Sequence, residues 1–188
     1  MRTSSVVSTF AALALGAAAA LGIAGPARAD IPPACLAAIH ANDRATSYHA
    51  VMSGIGDAGS TTTMDIQKPD RMHMTSGQLE LIAIGNKAWK RSGSGWVTYP
   101  PMPVGEILAM GKNTGLKAKV GSCVDAGMGT WHGQPAHIFR GTSNVGSQPT
   151  QSTIYVFSDG FVHHFEMSGK PGISGDFSGF DSTAVNPP

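Results

Sequence analysis

Excess charge, cysteine chemistry and catalytic signatures are all scarce in this chain. Thirteen Lys and Arg face twelve Asp and Glu, a formal net charge of +1. Two of those bases, Arg2 and Arg28, fall in the first 29 residues, so eleven bases face twelve acids in the remainder. Nothing there builds the positive field that nucleic acid or an anionic membrane surface requires. Both are excluded as expected partners. There are two cysteines, Cys35 and Cys123, and no Cys-x-x-Cys, so thiol oxidoreductase chemistry has no motif. No serine sits in Gly-x-Ser-x-Gly and no His-Glu-x-x-His occurs. The chain therefore reads as a non-enzyme, with no cofactor expected.

What is present begins with an N-terminal leader. Arg2 gives a positive start, Phe10 to Gly25 is uncharged and rich in Ala, Leu and Gly, and Pro26 breaks the run before Ala27-Arg28-Ala29. That is the pattern of a secretory signal peptide over residues 1–29, with cleavage expected before Asp30. The apolar run is short for a membrane span and has no stop-transfer charges after it. Pro32-Pro33-Ala34 before Cys35 is the wrong approach for a lipoprotein signal. Residues 30–188 then suffice for one core-bearing domain. In an oxidising compartment, the lone pair Cys35 and Cys123 is expected to form a disulfide.

The most informative stretch is 61 to 101. Apolar residues recur at spacing two: Met64 and Ile66, Met72 and Met74, Leu79 and Leu81, Ile82 and Ile84. Between them fall Lys68-Pro69-Asp70, Ser76-Gly77, Gly85-Asn86 and Ser92-Gly93-Ser94-Gly95. Alternation punctuated by Gly, Pro and Asn predicts consecutive antiparallel strands joined by tight turns. Before this meander, Cys35 to Asn42 reads as a short amphipathic helix, with Pro33 near its start. Ser47 to Met52 reads as a strand and Gly56 to Ser60 as a turn. After it, Val104, Ile107, Leu108 and Gly111 predict a second short helix ended by Gly115. Strands are expected over Leu116–Val124, Pro135–Arg140, Ser152–Phe157 and Phe161–Met167, and around Phe177–Val185. Loops are expected over Gly127–Gly133, which holds Trp131, and over Gly141–Thr150. Ser158-Asp159-Gly160 reads as a compact hairpin turn. Two helices and about 9–11 strands predict an α+β fold: one strongly curved antiparallel sheet with helices packed on one face.

The order of these elements resembles the LolA/LolB-like superfamily of periplasmic lipoprotein carriers. The shared pattern is a short helix leading into Ser47-Tyr48-His49-Ala50, then a basic-Pro-Asp turn at Lys68-Pro69-Asp70-Arg71-Met72. It continues through Ile84-Gly85-Asn86-Lys87-Ala88-Trp89 and the Pro-closed strand Gly95-Trp96-Val97-Thr98-Tyr99-Pro100. The late hairpin Val156 to Gly160 and the terminal Asp176-Phe177-Ser178-Gly179-Phe180 complete it. The resemblance implies a half-barrel covered by helices, with acyl chains held on the concave apolar face. It also implies a periplasmic location and lipid or lipoprotein acyl chains as partners, with an envelope protein as a further candidate. At the family's lid-latching basic position stands Lys68, which lacks the planar fork of arginine. A Cys35–Cys123 bond, a departure from the family, would pin the first helix to a mid-chain strand.

The expected ligand face is Met64, Ile66, Met72, Met74 and Leu81, with Trp89 and Trp96. Met is unbranched and polarisable and suits an adaptable apolar pocket, but the same residues suit ordinary core packing. Met72-His73-Met74 has the ligand types of a Cu(I) site. In a strand, however, His73 points away from both methionines, and His163 and His164 point apart, so no metal is expected. The expected species is a monomer. Two functions stay open: a carrier or sensor of acyl chains, and a protein-interaction module whose interior is filled by its own side chains.

Overall fold

The computed structural model describes residues 31–54, 60–113, 119–145, 148–169 and 172–188. The expected signal peptide, its cleavage point, Gly115 and nearly all of the 56–60 turn lie outside these residues. A helix α1 (Pro33–Ile39) leads into a 3-10 turn (Ala41–Arg44) and then β1 (Ser47–Ser53). The meander follows as β2 (Thr61–Gln67), β3 (Arg71–Ser76), β4 (Leu79–Ile84), β5 (Lys87–Ser92) and β6 (Gly95–Tyr99). Helix α2 (Val104–Asn113) precedes β7 (Lys119–Trp131), β8 (Gln134–Val145), β9 (Gln148–Val156), β10 (Val162–Met167) and β11 (Ile173–Ser178).

All eleven strands form one curved antiparallel sheet in the order β6-β5-β4-β3-β2-β1-β11-β10-β9-β8-β7. Each neighbour is the next strand in sequence except at β1–β11, where the beginning and end of the fold meet mid-sheet. The order is that of an up-and-down barrel cut between β6 and β7. The sheet is not closed there, and the chain passes from one edge to the other through α2.

The strands of 61 to 101 fall where alternation put them, with Gly77, Gly85 and Gly93 at positive φ in the turns. Ser158-Asp159-Gly160 is the expected tight turn. Gly160 N–H donates to Phe157 O at 2.8 Å, and Asp159 Oδ1 accepts from Phe161 N–H at 2.9 Å. Three expectations are corrected. The Gly127–Gly133 stretch is not a loop throughout. β7 runs to Trp131, passing two register shifts that absorb the extra residues as bulges. Most of Gly141–Thr150 is strand rather than loop, as β8 and β9 extend toward each other. The last strand is Ile173–Ser178, not Phe177–Val185. The tail beyond it is irregular yet anchored: Val185 N–H donates to Gln67 Oε1 at 3.0 Å, and Val185 O accepts from Arg71 at 3.1 Å.

Candidate ligand-binding face

Strand register separates the sheet into an inner, core-bearing face and an outer, polar one. Across β4, β3, β2, β1 and β11 the partners Leu81, Met74, Met64, Ala50 and Phe177 stand in one row. A second row runs Tyr99, Ala88, Ala83, Met72, Ile66 and Tyr48. Because alternate residues of a strand share a face, both rows lie on one side. Leu81, Met72 and Ile66 are 0% exposed and Met64 and Met74 are 1% exposed. These five of the expected ligand-face residues are therefore brought together.

Trp89 and Trp96 are not part of that surface. Trp89 pairs with Ile82 and Trp96 with Arg91, so both sit on the outer face. The misplacement has a simple origin: in Ala88-Trp89 and Trp96-Val97 the neighbouring residue takes the inward position. The Arg91 guanidinium lies 5.3 Å over the Trp96 ring, a surface cation–π contact.

Among the described residues, six methionines belong to this core: Met52, Met64, Met72, Met74, Met102 and Met167. Cys35, Ala38 and Ile39 of α1 and Val104 and Leu108 of α2 are buried in the same cluster. A third inner row, Met52, Gly175, Phe165, Ile154 and Phe139, is not legible in the sequence. A bulge at Val162–His164 interrupts the alternation that would have revealed it. Gly175 is required in that row, since a Cβ there would collide with the Phe165 ring and the Met52 sulfur.

The α1 segment is fastened on three sides. Cys35 and Cys123 form the expected disulfide, with Cα atoms 6.2 Å apart, tying α1 to edge strand β7. Lys68 Nζ donates to the carbonyls of Asn42 at 3.1 Å and Asp43 at 2.9 Å, tying the 3-10 turn to the end of β2. Arg44 donates to Asp159 O at 2.7 Å and lies 4.2 Å over the Phe161 ring. Beneath this, burial pushes the Tyr48 hydroxyl well above its ordinary pKa, with nearby Asp43 adding to the shift.

The outer face carries ion pairs. Asp65 accepts from His49 at 2.6 Å and lies 3.5 Å from His73, whose other nitrogen is 3.1 Å from Glu80. His73 thus faces away from Met72 and Met74. His164, nearly buried, lies between Asp176 at 2.7 Å and Glu166 at 3.3 Å, with Trp131 stacked 3.6 Å above it. Six of the seven histidines lie against a carboxylate. Among the described residues no group of three His, Cys, Asp or Glu side chains is arranged to hold a metal ion.

No family model matches this sequence, and no curated protein matches it. Solved structures do. The lipoprotein LppX of Mycobacterium tuberculosis aligns with a TM-score of 0.60 at 14% identity, over 81% of this chain and 95% of that one. LprF from Mycobacterium bovis aligns with a TM-score of 0.60 at 12% identity, over 84% of this chain and 97% of that one. A LolA superfamily protein from Nitrosomonas europaea also aligns, at a TM-score of 0.31 and 8% identity over 82% of this chain and 93% of that one, too distant to carry weight. The chain shares its fold with LppX and LprF.

Proposed function

We propose that this protein is an exported, non-enzymatic carrier or sensor that holds lipid or lipoprotein acyl chains on the inner face of its sheet. The observation that carries the reading is the segregation of the two faces. Across β4, β3, β2, β1 and β11 the inner rows are apolar and methionine-rich, while the ion pairs of those strands stand on the outer face; the inner pair Asp125–His137 lies beyond them on β7 and β8. A flexible methionine core repacks around an inserted chain more readily than a branched one. Lys68 stands where a latch between the sheet and the α1 segment would act. The fold neighbour LppX is itself a lipoprotein, which is consistent with an envelope location.

A second reading has its own observation. Met64, Ile66, Met72, Met74 and Leu81 are all between 0 and 1% exposed, so their own packing fills the space around them. On that reading the scaffold is a protein-interaction module with a filled interior. In the carrier reading the same packing is the closed, unliganded state.

Native mass spectrometry of protein purified from the envelope without detergent separates the two. A retained lipid, or saturable uptake of a hydrophobic fluorescent dye, is expected for the carrier. Protein that carries no lipid and takes up no dye would favour the interaction module.

A further inference from the structure

The inner face carries one base without a partner. Among the described residues, the Lys, Arg, His, Asp and Glu side chains at paired inner-face positions of the sheet are Lys90 on β5 and the pair Asp125 and His137 on β7 and β8. Asp125 is already satisfied: it accepts from Gly127 N–H at 2.8 Å and from His137 at 2.6 Å. These bonds hold its carboxyl below the usual range, the backbone bond contributing most. Lys90 forms no hydrogen bond or ion pair among the described residues.

Its position is the second observation. Lys90 stands between Leu81 on β4 and Val97 on β6 in direct register. Leu81 is 0% exposed, while Val97 is 49% exposed. The inner face passes from sealed to open at Lys90. Protection of a sheet edge would place a lysine on the edge strand itself, but β6 (Gly95–Tyr99) carries no charge. From Lys90 the row Leu81, Met74, Met64, Ala50, Phe177 leads inward across five strand spacings, about 24 Å of apolar surface.

Resting on the acyl-chain reading above, we infer that the ligand is an anionic amphiphile whose carboxylate or phosphate head pairs with Lys90 while its tail follows the Leu81–Phe177 row. A neutral lipid leaves Lys90 unpaired in water and gains nothing from it. An anionic head meets a single cation at the mouth and no acidic side chain on the adjacent inner-face positions of β4 and β6.

The test is titration of the full chain with cis-parinaric acid and with its methyl ester, which share a fluorescent tail and differ in charge. Wild-type protein is expected to bind the acid about fivefold more tightly, the scale of an ion pair at a solvent-facing site. The preference should shrink as salt rises. Lys90→Glu is expected to abolish it with ester binding unchanged, and Lys90→Arg to retain it. Inorganic phosphate alone should leave the acid bound, and displacement by it would mean a site for the free anion and overturn the lipid assignment. Equal binding of acid and ester, or a preference that survives Lys90→Glu, overturns the role of Lys90 and leaves acyl binding standing. Binding of neither probe overturns both.

Discussion

Asn42 and Val162 share two hydrogen bonds across 120 residues of chain: Asn42 Nδ2 donates to Val162 O at 3.0 Å, and Val162 N–H donates to Asn42 Oδ1 at 2.8 Å. Asn42 is 7% exposed and Val162 flanks the β10 bulge, where the ladder with β9 slips. One buried amide therefore satisfies both backbone groups of a residue beside an irregularity in the sheet.

Asn42→Ala removes both bonds and strands both groups of Val162. A loss of about 3 kcal/mol is expected, the scale of two unsatisfied buried polar groups. Urea unfolding followed by tryptophan fluorescence measures it. A loss below about 1 kcal/mol would mean that water takes over both bonds.

Lys68→Ala removes two bonds to the carbonyls of the 3-10 turn from a side chain that reaches the surface. Stability is expected to fall by only about 1 kcal/mol. On the carrier reading, dye or lipid dissociation should accelerate well beyond what that change implies. Stopped-flow release set against the melting temperature checks this, and unchanged release would leave Lys68 a purely structural tether.

The Cys35–Cys123 bond spans 88 residues. Replacing both by serine is expected to cost roughly 4 kcal/mol in the loop-entropy account. Intact mass after alkylation without reductant should show no modified thiol. Two modified thiols in freshly prepared envelope protein would contradict the bond.

Asp181 Oδ1 accepts from Thr46 N–H at 2.6 Å and from Thr46 Oγ1 at 2.8 Å, with the backbone bond the larger cause of a carboxyl pKa held below its ordinary 3.8. A lowered folded-state pKa contributes stability that is complete above the unfolded value and lost as pH falls through the folded one. The wild-type melting temperature should therefore drop below about pH 4, and Asp181→Asn should flatten that part of the profile. Thermal melts across the acid range decide it; parallel profiles would dismiss Asp181 as a contributor.

The local pieces of this fold are written in the sequence. Met64-Asp65-Ile66 and Met72-His73-Met74 alternate cleanly, and the intervening Gly and Pro mark each turn, so the strands and inner methionines could be read directly. Which strands meet could not be read in the same way. Alternation sets the face of a residue but names no partner, so the β1–β11 pairing and the open β6–β7 seam appear only in three dimensions. Glycine misled over 127–133, where the bulges of β7 let a glycine-rich run stay in the sheet. Trp89 and Trp96 stand in the expected ligand face, whereas strict alternation from Ala88 and Val97 sends them out. Lys90 carries no signal in the sequence, because its meaning depends on Leu81 and Val97, residues of two neighbouring strands.

The mid-sheet meeting of β1 and β11 also shapes how the chain must assemble. β1 to β6 and β7 to β11 are each ladders of nearest-neighbour hairpins, built from contacts close in sequence. Their single strand-to-strand junction joins residues such as Ala50 and Phe177, the most distant strand pairing in the molecule. Such non-local closure is the entropically costly step of folding. Until Phe177 has emerged, the N-terminal ladder keeps β1 as a bare edge beside half a core, a species suited to capture by a holding chaperone.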